Sequence, residues 1–379
     1  MPQPSRRPLG VAMIGYSFMG RAHSQAWRTV SSAFDVPAVA RRVIVGRDET
    51  AVAEASGRLG WEEHATDWRA VLDRDDIDII DICTPGSLHA EIAIAALEAG
   101  KHVLCEKPLA NDTAEAEAMT EAATAAAARG QIAALGFTYR RVPALALARQ
   151  LVESGRLGTI RQAKAAYLQD WLADPESPMS WRLRKETAGS GALGDIASHA
   201  IDQIQHLTGQ RATAVRGRLA TLVPQRPGPD GPEAVTVDDA AWATLELDGG
   251  AIASVEVSRM ATGAKNRLTV ELYGTDGALR FDLENPNELW FLDATLPIAE
   301  QGFSRVLVTE PEHPYLEAWW PQGHVLGWEN AFSNQARDLL LAIDGTAEYS
   351  PGFADGLALQ KVLDAIIASD AADGRTITL

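Results

Sequence analysis

Asp195 and His199 stand four residues apart in the stretch Gly191-Ala192-Leu193-Gly194-Asp195-Ile196-Ala197-Ser198-His199, which leads into the apolar pattern Ile201, Ile204, Leu207 of a helix. At that spacing both side chains project from one helical face. A carboxylate beside an imidazole can bind two neighbouring hydroxyls and shuttle the proton released when a hydrogen leaves as hydride. Two structural readings stand beside this one: Asp195 as an N-terminal helix residue stabilised by the dipole, and His199 as an ordinary core histidine. No third ligand occurs at a recognisable metal-binding spacing, so no metal is expected.

The tetrad Glu106-Lys107-Pro108-Leu109 follows the predicted strand His102–Cys105. It therefore lies at the C-terminal edge, where open α/β sheets bind their ligands. Burial lowers the proton affinity of a lysine, which lets Lys107 orient or deprotonate an alcohol near neutral pH. As a bare tetrad it also reads as an exposed loop.

Gly15-Tyr16-Ser17-Phe18-Met19-Gly20 follows an apolar strand and opens a helix, the context in which a glycine-rich turn cradles a dinucleotide pyrophosphate. Gly15, Ser17, Phe18, Met19 and Gly20 are the candidate contacts; a tight strand-helix turn without ligand is the alternative. Ser17 replaces the middle glycine and can donate its hydroxyl. The second strand, Val43–Val45, ends in Gly46-Arg47-Asp48. A carboxylate at that position normally binds the ribose 2′-hydroxyl of NAD, whereas a guanidinium suits a 2′-phosphate. Gly46 and Arg47 thus favour NADP(H) over NAD(H). A shift of one residue would instead make Asp48 the ribose ligand, and Arg47 also reads as a solvated turn residue.

Elements that could position these groups follow from the pattern of apolar runs. Between Leu9 and Phe137, β-branched runs alternate with alanine-rich amphipathic segments, the signature of βαβ units and a parallel sheet. Beyond Phe137 one helix, Pro143–Glu153, precedes alternating strands such as Ile160–Leu168, Ala240–Leu247, Ala251–Ser258 and Leu268–Tyr273. These predict a largely antiparallel sheet, with Pro224–Glu233 as a surface loop. The fold class is α/β in two domains, 1–136 for the dinucleotide and 137–379 for substrate and oligomerisation. The last helix, 355–369, is expected to pack near the first domain.

Composition narrows the function classes. The 51 acidic residues outnumber 34 basic ones for a net charge of −17, a field that repels phosphate backbones and anionic bilayers, so neither nucleic acid nor membrane is an expected partner. Met1–Pro8 contains no apolar segment of the signal-peptide kind, and Glu115, Glu117 and Glu121 interrupt the longest alanine-rich stretch. Cys83 and Cys105 read as small reduced hydrophobes. A cytoplasmic enzyme is expected. One exposed sheet face needs cover, which predicts a homo-oligomer, dimer or tetramer.

Taken together these residues resemble the Gfo/Idh/MocA oxidoreductases. The matching elements are Gly15–Gly20 with His23, Cys83-Thr84-Pro85 with His89, Glu106-Lys107-Pro108, and Gly194-Asp195 with His199. The stretch Tyr167–Trp171, continuing through Ser180-Trp181-Arg182 to Gly189-Ser190-Gly191, looks especially like bacterial sugar dehydrogenases of that family. The resemblance implies a Rossmann domain, a second α/β domain with an open-faced sheet, and Lys107, Asp195 and His199 as the catalytic set. It also implies a cis peptide between Lys107 and Pro108, and Thr84, Pro85, His89, Glu106 and Lys107 on the cofactor side. Gly86 stands where the family usually has Asn. The implied reaction is reversible NAD(P)-dependent oxidation of a secondary hydroxyl on a sugar, anhydrosugar or cyclitol, with C3 of a pyranose as one position.

Tyr139, Arg140, Gln169, Trp181 and Arg182 are candidates for the sugar pocket, each with a structural alternative in sheet or core. Arg182, Arg184 and Lys185 form a basic cluster that reads as a solvated loop or as a site for an anionic sugar. Two rivals keep the fold: an enzyme that oxidises a glycoside transiently in order to cleave it, and a non-catalytic NAD(P)-binding sensor.

Overall fold

The protein's structure, a computed structural model, describes residues 7–379. The stretch Met1–Arg6, where no targeting segment is expected, lies outside the described residues. Two compact units emerge. The first extends to Ala110, includes Ala114–Thr138 and is completed by Trp328–Leu357; the second comprises Asn111–Thr113, Tyr139–Gly327 and Ala358–Leu379.

In the first unit the chain alternates β1 (Leu9–Ile14), α1 (Phe18–Ala33), β2 (Val39–Val45), α2 (Glu49–Leu59), β3 (Glu63–Ala65), β4 (Ile79–Ile82), α3 (His89–Glu98), β5 (His102–Glu106), α4 (Thr113–Ala127) and β6 (Ala133–Gly136). All six strands pair in parallel in the order β3-β2-β1-β4-β5-β6. Val11–Ile14, Ile79–Ile82 and Val103–Cys105 are buried throughout, as parallel strands covered on both faces require. Only β3, Glu63-His64-Ala65, lacks an apolar run; it is an edge strand, paired on one side alone with β2. The order in which successive strands are added reverses between β1 and β4, which opens a crevice beyond their C-terminal ends at Gly15 and Cys83-Thr84. The helix Asn330–Ile343, far along the chain, packs against α1.

The second unit is built on a nine-stranded sheet. Its elements are α5 (Pro143–Glu153), β7 (Ile160–Leu168), α6 (Lys185–Ala188), α7 (Ser198–Thr208), β8 (Ala212–Ala220), β9 (Gln225–Gly228), β10 (Gly231–Ala234), β11 (Ala240–Leu247), β12 (Ile252–Ser258), β13 (Arg267–Gly274), β14 (Gly277–Asp282), β15 (Glu288–Asp293), β16 (Ser304–Leu307) and β17 (Ile377–Thr378). Strand order is β16-β15-β14-β13-β7-β12-β11-β8-β17. Every pairing is antiparallel except β7 with β12. Period-two alternation sends Ala163, Ala165, Val255, Val257, Val270 and Leu272 into the core, where α7 covers β7, β12 and β13. Trp242, Ile252 and Trp290 are exposed.

One expectation is corrected here. The segment 224–233 is a β-hairpin, β9 with β10, and not a plain loop. Its Arg226 is fully buried and donates to the carbonyls of Leu172 and Asp174, each at 2.7 Å, a tether from distant sequence that composition does not reveal. The helix Phe353–Ala371 begins in the first unit and continues in the second, where Ser369 Oγ accepts the Gly217 N–H at 3.0 Å.

Candidate active site

The glycine-rich turn owes its shape to backbone crowding. A Cβ on Gly15 would stand 2.5 Å from the Cys83 carbonyl, at a φ of +110, and one on Gly20 would stand 2.2 Å from the Gly15 carbonyl. Only glycine fits either place. Helix α1 carries no acidic residue in its first turn, and its N-cap Ser17 makes no side-chain cap bond. The positive end of the helix dipole is thus left for an anion. Met19 is half-buried beside it. Phe18 is exposed and stacks on Trp328, with centroids 5.5 Å apart.

At the end of β2, a Cβ on Gly46 would lie 2.0 Å from the Tyr16 ring, so the ring as placed excludes a carboxylate there. Asp48 is occupied otherwise: its side chain accepts the Ala51 N–H at 2.9 Å and caps α2. Arg47 is exposed. Beyond β4 the Thr84 hydroxyl is buried and makes no hydrogen bond within the chain, an orphaned polar atom at the crevice that a bound dinucleotide would satisfy. Pro85 follows it and leads into α3. His89 ties this edge together, with Nε2 3.0 Å from the Thr84 carbonyl and Nδ1 3.0 Å from that of Pro108. Burial pushes its imidazole below the ordinary value, against the pull of those carbonyls.

Glu106, at the end of β5, is buried with both carboxylate oxygens engaged. Oε1 accepts from His23 Nε2 at 2.9 Å, and Oε2 accepts the Lys107 N–H at 3.1 Å. On the other side of the imidazole, Nδ1 lies 3.0 Å from each oxygen of Asp81, which also takes the Trp27 indole N–H at 2.6 Å. Burial alone would lower the imidazole's proton affinity; the Asp81 charge overcomes it and holds His23 well above the ordinary value. His23, Asp81 and Cys83 also offer donor atoms within 4.8 Å of one another, but both imidazole nitrogens already meet carboxylates. Lys107 is half-buried, and its bond to Pro108 is cis.

In the second unit, Asp195 and His199 are not on one α-helix as read from their spacing. Leu193–Ala197 forms a single π-helical turn, and α7 starts only at Ser198. Single π turns of this kind are often found at functional sites. At its start the Asp238 carboxylate takes the N–H groups of Gly191 at 2.7 Å and Leu193 at 2.8 Å. Burial raises that carboxyl above its ordinary range against those two donors. Arg259, also buried, donates to the Asp238 carbonyl at 3.0 Å and sets Nη1 3.9 Å from Asp195 Oδ2. Asp195 itself keeps 32% of its side chain exposed.

His199 packs against aromatic rings, with Tyr139 at 4.5 Å and Tyr167 at 5.9 Å between centroids. The two tyrosine hydroxyls are 2.8 Å apart. Tyr167 and Gln169 both reach Asn266, and the Trp171 indole donates to Gln169. Tyr139, Gln169 and His199 thus belong to one cluster. Arg140 lies elsewhere, in a buried ion pair with Asp202 of α7. The Arg182 guanidinium sits over the Trp181 ring at 4.4 Å, and Arg184 pairs with Glu233. Sequence reading marks His23 only as a matching element of the family, without a role, and passes over Asp81, Asp238, Arg259 and Asn266, because the partners of all five lie tens of residues away.

Two family models match the chain. One, described as an oxidoreductase family with an NAD-binding Rossmann fold, covers residues 9–134, and the GFO/IDH/MocA C-terminal domain covers 145–280. Levoglucosan dehydrogenase of Pseudarthrobacter phenanthrenivorans is 42% identical over 382 residues, spanning 96% of each chain. Inositol 2-dehydrogenase of Rhizobium meliloti is 26% identical over 97% of this chain and 98% of its own. Among solved structures, an oxidoreductase domain protein from Kribbella flavida matches with a TM-score of 0.96 at 54% identity, covering 98% of this chain and 99% of its own. A levoglucosan dehydrogenase in complex with NADH and levoglucosan matches at 0.94 and 42% identity, with the same coverage.

Proposed function

The chain belongs to the Gfo/Idh/MocA oxidoreductase family, and from that premise we propose that it oxidises, or in reverse reduces, a secondary hydroxyl of a sugar, anhydrosugar or cyclitol. C3 of a pyranose is the position to examine first. The carrying observation is Lys107: its main chain is anchored by the buried Glu106 at the ligand-binding edge of the parallel sheet, in a chain 42% identical to a levoglucosan dehydrogenase along nearly its whole length.

When bound, the nicotinamide takes the hydride from the carbinol carbon. The chain supplies the rest. As the family resemblance implies, Lys107 takes the proton of the reacting hydroxyl, and the second unit contributes His199 and Asp195 as hydrogen-bonding groups for substrate hydroxyls. Around the substrate, Tyr139 and Gln169 contribute polar contacts and Trp181 a flat apolar face, with Arg182 as a further pocket candidate; Arg140, committed to Asp202, is left out of the pocket. Gly15, Ser17, Phe18, Met19 and Gly20 serve the pyrophosphate at the α1 N-terminus, with Thr84, Pro85, His89 and Glu106 along the neighbouring strand ends.

Between the two cofactors we favour NADP(H). A side chain is excluded at Gly46, the Asp48 carboxylate is committed to its helix cap, and Arg47 is exposed where a 2′-phosphate would lie. NADH, carried by the levoglucosan dehydrogenase structures, is the competing outcome. The reading extends to a homo-oligomer, dimer or tetramer, covering the sheet face that bears Trp242, Ile252 and Trp290, and to the cytoplasm, where free thiols such as Cys83 and Cys105 persist. Among the described residues no helix is long and apolar enough to cross a membrane.

The test is reduction of NADP+ and NAD+ by purified protein over a panel including levoglucosan, glucose and myo-inositol. Turnover of at least one neutral sugar or cyclitol is expected. Cofactor binding without turnover of any panel member would count against a simple dehydrogenase.

A further inference from the structure

Beside His199 the donors and acceptors of five side chains fix one another in a definite direction. The starting point is Trp171, whose indole N–H can only donate. It points at Gln169 Oε1 at 2.9 Å, so the Gln169 amide cannot be flipped without setting donor against donor. Its Nε2 must then face Asn266, and it does, at 2.8 Å from Oδ1. Asn266 in turn must present its carbonyl oxygen, and that same oxygen lies 2.6 Å from the Tyr167 hydroxyl. Tyr167 therefore donates to Asn266. Its one proton is spent, so across the 2.8 Å contact between the two phenols Tyr139 donates and Tyr167 accepts. Any further hydrogen bond that the Tyr139 oxygen makes is one it accepts.

We propose that Asn266 is a positioning residue for substrate: its single carbonyl oxygen orients the Gln169 amide and, through Tyr167, sets Tyr139 beside His199 as an acceptor that selects a free hydroxyl over an ether or a ketone. The inference rests on the sugar dehydrogenase reading and deepens it. Asn266 itself is held from behind, because its backbone N–H and that of Lys265 both donate to Glu284 Oε1, at 3.1 and 2.8 Å. Tyr167 suits the relay, since burial and the neighbouring Tyr139 hold its phenol well above the ordinary value and keep it a neutral donor. An ether or ketone in place of the hydroxyl would bring acceptor against acceptor, the kind of mismatch by which polar sites reject analogues strongly.

The test uses the whole protein and the best substrate of the wild type. Asn266→Leu removes the shared acceptor; Asn266→Asp keeps an acceptor oxygen in the same place. Tyr167→Phe, which deletes one hydroxyl and keeps the ring, guards against a folding defect in the leucine variant. Asn266→Leu and Tyr167→Phe are expected to raise KM for the sugar by about tenfold or more, with kcat reduced less and cofactor Kd unchanged. Asn266→Asp should stay within about threefold of wild type. Discrimination between the parent sugar and its O-methyl analogues should shrink in the first two variants only. An active wild type whose Asn266→Leu and Tyr167→Phe variants keep both KM and that discrimination overturns this proposal alone. A wild type that binds cofactor and turns over no sugar overturns the functional reading and this proposal with it.

Discussion

The Arg259 guanidinium, 1% exposed, places Nη1 3.9 Å from Asp195 Oδ2. A buried cation beside a part-exposed carboxylate gives Asp195 a fixed direction, and the same guanidinium binds the carbonyl of Asp238, whose carboxylate holds the N–H groups at the start of the π-helical turn. Removing the guanidinium takes a charged donor from the buried Asp238 carbonyl and loosens the hold on Asp195, at a cost of about 1–3 kcal/mol. Arg259→Leu is therefore expected to lower the chemical denaturation free energy by an amount of that order. It should also depress kcat/KM for the sugar while leaving NAD(P) affinity intact, because no cofactor residue lies in this cluster. Denaturant titration and cofactor fluorescence on one preparation check both halves. Weakened cofactor binding would contradict this account of Arg259.

His23 gives a pH-dependent expectation. Its folded-state proton affinity is raised well above the ordinary value by Asp81, so the proton it holds stabilises the native state. That contribution is fully present below the unfolded value of about pH 6.5 and is lost as pH rises through the elevated folded value. Wild type should exceed His23→Gln in stability most at about pH 6, with the gap closing on the alkaline side. Paired denaturation curves across that range measure it, and a gap that widens with pH would refute the assignment.

Arg47→Ala examines the cofactor reading. A charge-assisted contact to a 2′-phosphate is worth about 1.5–3 kcal/mol. The variant should therefore lose roughly ten- to a hundredfold in kcat/KM for NADP+ and change little for NAD+. Steady-state kinetics with both cofactors read this out, and equal losses for the two would remove Arg47 from the 2′ position.

Much of this was legible in the sequence, and the limits have physical causes. Gly15 and Gly20 show themselves because close backbone approach tolerates no Cβ, and β1, β4 and β5 show themselves because parallel strands buried on both faces must be apolar. The spacing of Asp195 and His199 reads as one α-helical face, yet the chain there is a π turn whose start is held by the carboxylate of Asp238, 43 residues beyond Asp195, a pairing set by tertiary structure. Asn266 and Arg259 escaped notice for the same reason. Each sits just past or before a strand, where composition says only loop, and acquires meaning from Gln169, Tyr167 or Asp195 on other elements. The hairpin at 225–234 reads as a loop in the sequence because its anchor, Arg226, bonds to carbonyls some fifty residues earlier.

On the proposed reading, Lys107 handles the proton of a sugar hydroxyl as its hydrogen passes to a nicotinamide. The most direct measurement is sugar-dependent formation of reduced nicotinamide by wild type and by Lys107→Met, with cofactor affinity determined for both. Wild type is expected to turn over at least one neutral sugar or cyclitol, and Lys107→Met to lose about 10²- to 10⁴-fold in kcat with cofactor affinity retained. A Lys107→Met enzyme within a few-fold of wild-type kcat would contradict the account.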